Sequence, residues 1–246
     1  MNQPITGVPI ADLEKLLLSL PKFRAKQIFD WIQNGAESFE QMSNLPIDLR
    51  NTLSKTYRLR CTKLLNKIED KDGTIKLQLE IENDEVIESV ILIDSSERKT
   101  ACLSTQAGCP MRCVFCKTGS LGFSRNLTSS EIVEQFFHIK ALGNDIANIV
   151  FMGMGEPLLN LNELEKAIDV LCKNMSYRRI TISTCGIISG IRSLIDRKIH
   201  TRLALSICSA DEDLRRRLMP VSITNPLEDL KNALQDYQQQ QGQRIT

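Results

Sequence analysis

Strand patterns and helix patterns alternate from residue 100 to the end of the chain, and this alternation constrains the fold more than any other feature. Four short apolar runs are typical of buried strands, at residues 100–105, 147–152, 179–184 and 201–207. Stretches with apolar residues at helical spacing follow them. This order is typical of parallel βαβ units. Because one unit takes roughly thirty residues or more, residues 102–246 accommodate about four.

Two different patterns precede this region. Residues 1–57 carry apolar positions such as Ile28 and Ile32 at helical spacing, which predicts a small helical domain. A basic cluster beside them, made of Lys22, Arg24 and Lys26, indicates either a solvent-exposed helix face or a contact with RNA. Residues 58–100 instead alternate apolar and polar side chains around an Asn-Asp turn, which predicts a short β-hairpin module. Within that hairpin, Glu88 is by position alone an outward-facing strand residue.

A loop of sequence G-C-P-M-R-C-V-F-C-K follows the first predicted buried strand. It places Cys109, Cys113 and Cys116 at C-x3-C-x2-C spacing. Thiolates select iron–sulfur clusters, zinc and copper(I). Three protein ligands on a cubane cluster would leave one iron open for a substrate or cofactor, by the same logic that keeps a catalytic zinc open. A structural zinc site with a fourth ligand elsewhere and plain packing of core cysteines are the alternatives.

A second loop, G-M-G-E-P at residues 153–157, directly follows the second predicted strand. Ligands of parallel α/β proteins bind at the carboxyl ends of strands, where glycine lets the backbone approach them closely. Glu156 in this loop could bind a ligand ammonium group.

Composition bears on RNA binding, on the cellular compartment and on membrane contact. The chain has 31 Lys and Arg against 30 Asp and Glu, so any RNA binding must come from local patches. Eight unevenly spaced cysteines and an N-terminus without an apolar signal segment point to the reducing cytoplasm. No apolar run has membrane-spanning length, so we expect no membrane contact.

The two loops together resemble the radical S-adenosylmethionine superfamily, and several further motifs resemble its RlmN/Cfr adenosine methyltransferases. These motifs are F-R-A-K-Q-I-F from Phe23, I-E-S-V from Ile87, C-L-S-T-Q-A-G-C from Cys102, F-M-G-M-G-E-P-L-L-N from Phe151 and T-I-S-T from Thr181. The resemblance implies an α/β fold with a partial (βα) radical-SAM barrel. We expect an N-terminal helical, RNA-binding accessory domain at 1–57, a β-hairpin linker at 58–100 and an incomplete barrel at 101–246.

The resemblance also implies a mechanism and its residues. Cys109, Cys113 and Cys116 would hold a [4Fe–4S] cluster, and Glu88 would remove the proton from the adenine carbon. Cys102 would resolve a covalent protein–RNA adduct by forming a disulfide with a methyl-carrying cysteine. The positions that match the family's S-adenosylmethionine contacts are Gly155, Glu156, Ser183, Ser206, Ile207 and Cys208. The implied substrates are 23S ribosomal RNA, at adenine carbon 2, and a transfer RNA, with an electron donor for the cluster.

The chain departs from the family pattern in two places. Cys208 stands where the family usually has a histidine, and a thiol cannot offer the paired nitrogens of an imidazole, so we expect a weakened cofactor contact. The family's methyl-carrying cysteine and last barrel strands lie beyond the matched region. We therefore expect a C-terminally truncated chain that binds a cluster without completing turnover.

The last residues, 244–246, resemble the start of a fifth strand. If the sheet stops there, its fourth strand lies along an unpaired edge through which chains can associate, whereas the complete protein is expected to be a monomer. Two other function classes stay open: a non-methylating radical enzyme, and an inactive RNA-binding remnant that holds a cluster or zinc.

Overall fold

The N-terminal part of the protein is helical, as the sequence predicts. The computed structural model describes residues 2–246. Its first elements are β1 (Gln3–Pro4), α1 (Ile10–Leu16), α2 (Lys22–Gln33), α3 (Ile47–Thr56) and β2 (Tyr57–Arg58). β1 and β2 pair in parallel and join the two ends of this segment. Each helix starts after a proline, and the apolar stripe of α2, with Ile28 and Ile32, is buried.

Three antiparallel strands follow, where the sequence analysis predicted two. They are β3 (Lys63–Glu69), β4 (Ile75–Glu80) and β5 (Val86–Ile93). β4 and β5 form the predicted hairpin, with alternately buried side chains. β3 was missed because its sequence, KLLNKIE, has no apolar alternation. Every residue of this edge strand is exposed, so no buried face imposes a period of two.

The remaining elements are strands and helices that alternate except at β6–β7 and α8–α9. They are β6 (Lys99–Cys102), β7 (Gln106–Gly108), α4 (Lys117–Ser120), β8 (Phe123–Asn126), α5 (Ser129–Ala141), β9 (Ile146–Phe151), α6 (Leu161–Leu171), β10 (Ile180–Thr184), α7 (Ile188–Asp196), β11 (Arg202–Leu205), α8 (Glu212–Leu218) and α9 (Leu227–Gln241). Thr128 and Glu131 form a capping box at the start of α5, as their spacing predicts. The sequence analysis missed the β7–β8 hairpin around the cysteine loop, and α8.

One mixed sheet runs through the described residues 2–246 in the order β11-β10-β9-β6-β5-β4-β3. The strands β6, β9, β10 and β11 are parallel, as expected for βα units. β5 pairs antiparallel with β6, so the strands of the predicted 58–100 module continue the barrel sheet. The division into three domains stays a prediction. No helix in residues 2–246 has the length and apolarity needed to cross a membrane.

The outer edge of β11 is partly covered, which corrects the expectation of an unpaired fourth strand. Ile245 forms a parallel bridge with Leu203. The Thr246 N–H donates to the Leu203 carbonyl at 3.0 Å, and the Leu205 N–H donates to the Thr246 carbonyl at 2.8 Å. Residues 244–246 thus lie beside β11 in the position of a further parallel strand. β11 itself ends at Leu205, two residues earlier than the sequence predicts, since the Ile207 N–H donates back to the Leu205 carbonyl at 3.0 Å instead of continuing the ladder. Cys208 follows with a φ of 59°.

Arg125 joins three parts of the fold. From β8 it donates to both carboxylate oxygens of Glu131 at the start of α5, at 2.7 and 2.9 Å. It also donates to Glu85, between β4 and β5, at 2.7 Å. Glu131 is only 1% exposed. Burial pushes the pKa of Glu131 up, but the hydrogen bonds from Arg125 and Thr128 outweigh it and hold the pKa below its usual value.

Replacing Arg125 should therefore destabilise the protein. We expect R125L to lower the free energy of unfolding by about 3 kcal/mol, because it leaves the buried Glu131 carboxylate without its cation. R98L removes a surface pair with Asp94, which solvent screens, and should lower the free energy of unfolding far less than R125L does. Denaturant unfolding measures both.

The pH dependence tests the same ion pair. A carboxyl whose pKa is lower in the folded state stabilises the fold above its unfolded pKa, and this contribution is lost as the pH falls through the folded pKa. The wild type should keep this increment down to the ordinary glutamate pKa of 4.5 and lose it as the pH falls from there through the lower folded pKa, whereas R125L should not show this loss. If R125L and R98L lowered the free energy of unfolding equally, the role of Arg125 would be contradicted.

Candidate active site

The candidate site lies at the carboxyl ends of the parallel strands. The cysteine loop follows β6 and β7, the loop 153–157 follows β9, and residues 206–208 follow β11. The Ser206 N–H donates to the Thr184 carbonyl at 2.9 Å, which holds the last loop against the end of β10. Parallel strands carry their ligand sites at this edge. The topology therefore gathers loops that are far apart in sequence.

Strand register places three of the predicted residues on one face of the sheet. Cys102 lies opposite Val90 of β5 and opposite Val150 of β9. Glu88 is two residues from Val90, so its side chain shares the face of Cys102. Ser183 shares that face through Thr181, which lies opposite Val150. The other face of these strands is buried under the helices.

Glu88 is half-exposed on this face. The Lys76 ammonium on the neighbouring strand lies 3.1 Å from its carboxylate. Both side chains are about 40% exposed, so an incoming ligand can reach them. β5 runs antiparallel to β6, which brings Glu88 level with the carboxyl ends of the parallel strands.

Cys102 is buried at the end of β6, with 8% of its surface exposed. Burial raises the pKa of its thiol to about 11. At neutral pH the thiol is therefore protonated and a poor nucleophile. For a disulfide to form at this position, a base must take the thiol proton and a second sulfur must reach the Cys102 sulfur.

The three-cysteine loop runs from the end of β7 to the start of α4. Burial, together with the neighbouring charges of Cys109, Cys116 and Cys208, raises the pKa of Cys113 to about 11, so the four thiols lie close together. No group of three or more His, Cys, Asp or Glu side chains in residues 2–246 stands ready to hold a single metal ion. What fits a thiolate-bound cluster is the donor set, three thiols on one short, partly buried loop.

Glycines close the base of this loop. A Cβ on Gly108 would stand 2.0 Å from the Gly122 carbonyl oxygen, and one on Gly119 would stand 3.3 Å from the backbone of Arg112 and Cys113. The Cys109 N–H donates to the same Gly122 carbonyl at 2.8 Å. The loop is thus folded tightly by the β7–β8 hairpin that carries it.

The loop 153–157 is pressed against residues 103–106. A Cβ on Gly155 would lie 2.5 Å from the Gln106 Cβ, and Gly155 has a φ of 102°, which disfavours any other residue. The Thr105 N–H donates to the Met154 carbonyl at 2.8 Å, and the Glu156 N–H donates to Gln106 Oε1 at 2.8 Å. The loop 153–157 is therefore hydrogen-bonded to the segment that leads into the cysteine loop.

Glu156 is 3% exposed and is held by backbone groups. Its Oε1 accepts from the Leu158 N–H at 3.1 Å, and its Oε2 accepts from the Cys185 N–H at 2.8 Å. Burial raises the pKa of this carboxyl, while these hydrogen bonds oppose the rise. The structure thus gives Glu156 a role in joining the ends of β9 and β10. Its contact with a ligand ammonium stays a prediction.

Three polar residues that connect these parts were missed by the sequence analysis. They are Ser104, Gln106 and Gln135. Gln135, together with Glu131 and Glu134, is a polar residue buried on the otherwise apolar α5. The sequence signal that could have identified them is the presence of polar side chains at positions of α5 that would be buried. Buried polar groups need hydrogen-bond partners, so such residues connect to other parts of the fold.

Comparison with known proteins identifies two matching families. The family model described as "Radical SAM superfamily" matches residues 103–241. The model described as "Ribosomal RNA large subunit methyltransferase N-terminal domain" matches residues 5–59. Together they cover the helical segment and the strand–helix alternation.

Individual relatives agree. Proteins described as "Probable dual-specificity RNA methyltransferase RlmN" are 43% identical over 98% of this chain in Treponema pallidum and 52% identical over 92% in Treponema denticola. The chain spans 72% and 66% of their lengths. The crystal structure of a radical SAM methyltransferase from Sphaerobacter thermophilus superposes with a TM-score of 0.92 at 32% identity, covering 99% of this chain and 74% of that one.

The close approach at Gly155 yields a testable prediction. G155A should lower the free energy of unfolding by about 3 kcal/mol, because a left-handed alanine costs about 1 kcal/mol and the collision with Gln106 adds overpacking. G143A is the matched control, since Gly143 also has a positive φ, 75°, but nothing lies within 4 Å of its Cβ position. It should lose only about 1 kcal/mol. Similar losses in denaturant unfolding would show that the contact with Gln106 is unimportant.

Proposed function

We propose, on the premise that the chain belongs to the RlmN family of radical S-adenosylmethionine RNA methyltransferases, that it methylates carbon 2 of an adenine in 23S ribosomal RNA. A transfer-RNA adenosine is the second proposed substrate, in keeping with the dual specificity in the names of its relatives. The observation that carries the proposal is the convergence of Glu88, Cys102 and the three-thiol loop at one edge of the sheet.

The family uses a [4Fe–4S] cluster and S-adenosylmethionine. We assign the cluster to Cys109, Cys113 and Cys116, whose thiols are the donors that such a cluster requires. When bound, the two groups supply a radical by reductive cleavage of the cofactor, and an electron donor must deliver the electron. The assigned S-adenosylmethionine contacts are Gly155, Glu156, Ser183, Ser206, Ile207 and Cys208.

Glu88 is assigned as the proton acceptor for the adenine carbon. Its carboxylate is half-exposed, and Lys76 holds it from one side. It shares a sheet face with Cys102, so a base flipped into the site would meet both groups. A carboxylate acts as a general base only within hydrogen-bond reach of the proton, so the proposal requires the adenine to dock on this face with carbon 2 beside Glu88.

Cys102 is assigned as the thiol that releases the methylated RNA. Its sulfur would form a disulfide with the methyl-carrying cysteine as the bond between that second sulfur and the RNA adduct breaks. The family's methyl-carrying cysteine is not among the residues that match here. The residues described here thus supply the proton acceptor, the resolving thiol and the cluster loop. The proposed compartment is the reducing cytoplasm, where these thiols stay free and RNA is available.

Removing one cluster ligand should remove the cluster. C113A, purified without oxygen, should contain below about a tenth of the wild-type iron and sulfide, because two thiols on this loop cannot hold it. C172A is the control, because Cys172 lies at the end of α6 away from the loop and should leave both contents unchanged. Iron and sulfide analysis measures the result. A colourless wild type that contains zinc would support the inactive-remnant alternative instead.

The substrate and the position of methylation are tested with RNA. The reconstituted chain is incubated with S-adenosylmethionine, a reductant and a 23S rRNA fragment or tRNA. A second version, extended by the C-terminal segment of the Treponema denticola relative, is assayed in parallel. We expect 2-methyladenosine by mass spectrometry from the extended version, which gains the family's methyl-carrying cysteine, and none from the 246-residue chain alone. E88Q should lower its formation at least about 100-fold, in the range of a lost general base.

The matched control is E80Q, which alters another half-exposed glutamate of the same sheet. It should retain activity. Formation of 8-methyladenosine would contradict the proposed position. Release of 5′-deoxyadenosine without any methylated RNA, in both versions of the chain, would favour the non-methylating radical enzyme.

A further inference from the structure

Ser104 is the residue at which the candidate parts of the site meet. It follows β6 in the short segment that leads to the cysteine loop, and it is 0% exposed. Its hydroxyl donates to the Glu88 carbonyl at 2.6 Å and accepts from the Met154 N–H at 2.8 Å. One oxygen atom thus joins the backbone of the proposed proton acceptor to the backbone of the glycine loop.

Gln135 on α5 fixes the position of that serine. Its Oε1 accepts from the Ser104 N–H at 2.7 Å, and its Nε2 donates to the Ser104 carbonyl at 2.9 Å. Its Nε2 also donates to the Glu131 carbonyl at 3.1 Å, and its Oε1 accepts from the Ser89 hydroxyl at 2.8 Å. The side-chain amide of Gln135 therefore has all these partners, and it forms hydrogen bonds with both the N–H and the carbonyl of Ser104.

The surrounding packing leaves the bridge little freedom. A Cβ on Gly153 would lie 2.6 Å from the Ser104 hydroxyl oxygen, so the glycine loop can approach the serine only without a side chain there. Ser89, the neighbour of Glu88, is also 0% exposed and faces α5, whereas Glu88 faces the site. A buried network of this kind holds one geometry, because every alternative leaves a polar group unpaired.

We propose that Ser104 is a positioning residue that sets the distance between the Glu88 carboxylate and the S-adenosylmethionine held by residues 153–157. This inference rests on the proposed function of Glu88 and of the glycine loop. Without the hydroxyl, the Glu88 carbonyl and the Met154 N–H lose their shared partner. The Thr105–Met154 and Glu156–Gln106 hydrogen bonds still hold the loop, but no single atom then sets its distance from strand β5. Misplacement of reacting groups on this scale lowers the rate of a reaction more than the binding of its substrates.

The test compares S104A with S89A. Both variants delete one fully buried serine hydroxyl from the same network, so their melting temperatures should fall by similar amounts. Only S104A removes the hydroxyl that accepts the hydrogen bond from the Met154 N–H. Its Met154 amide should exchange with solvent at least about tenfold faster than in the wild type, whereas S89A should stay within about twofold, since only an opened hydrogen bond exposes an amide to exchange.

Two further measurements distinguish a positioning role of Ser104 from a general loss of stability. In cluster-loaded protein, calorimetry should show a dissociation constant for S-adenosylmethionine at least about fivefold higher for S104A and unchanged for S89A. In the RNA assay, S104A should lower kcat about tenfold with a KM for RNA within about twofold of wild type, as loss of orientation predicts.

The possible outcomes distinguish the two proposals. Equal exchange of the Met154 amide in S104A and S89A, or equal affinities for the cofactor, would overturn the positioning role of Ser104. Failure of the wild-type chain itself to bind S-adenosylmethionine would overturn the proposed function instead, whatever the exchange data show. A lower kcat in S104A that persists in full on the E88Q background would also overturn the inference, because Ser104 would then act without Glu88.

Discussion

The site depends on one close approach between two backbone segments, residues 103–106 after β6 and residues 153–155 after β9. Neither Gly153 nor Gly155 has room for a side chain. Their absence of a Cβ lets the Met154 carbonyl and N–H pair with Thr105 and Ser104, which brings the two loops to hydrogen-bond distance. The cysteine loop, the glycine loop and the Glu88 strand share this junction, so their relative positions follow from it.

Polar groups buried beneath the sheet stabilise the same junction. α5 is buried along most of its length, and it carries Glu131, Glu134 and Gln135 toward the sheet. Glu131 fixes the β7–β8 hairpin through Arg125, and Glu134 accepts hydrogen bonds from the N–H groups of Cys61 and Thr62. One helix therefore anchors the cysteine hairpin, the glycine junction and the start of β3. Apolar packing alone would leave these segments free to slide, whereas hydrogen bonds with fixed directions do not.

Much of the architecture was predictable because its signals are local. The alternation of β4 and β5, the buried runs of β9 and β10 and the capping box of α5 each appear within a dozen residues of sequence. Elements without a local signal were missed. β3 has no buried face, and β11 ends two residues early because the Ile207 N–H turns back to the Leu205 carbonyl, which no local sequence signal announces.

The sequence by itself determined the chemistry of this protein. The spacing of Cys109, Cys113 and Cys116, the G-M-G-E-P loop and the family motifs identify a radical S-adenosylmethionine RNA methyltransferase, because thiolate donors and side-chain-free turns depend on residue type. Only the tertiary structure decided which groups act together. Ser104 contacts residues that lie 16 and 50 positions away, and strand register, not spacing, places Glu88 and Cys102 on one face. Register and burial are properties of the assembled sheet, so a list of motifs cannot contain them.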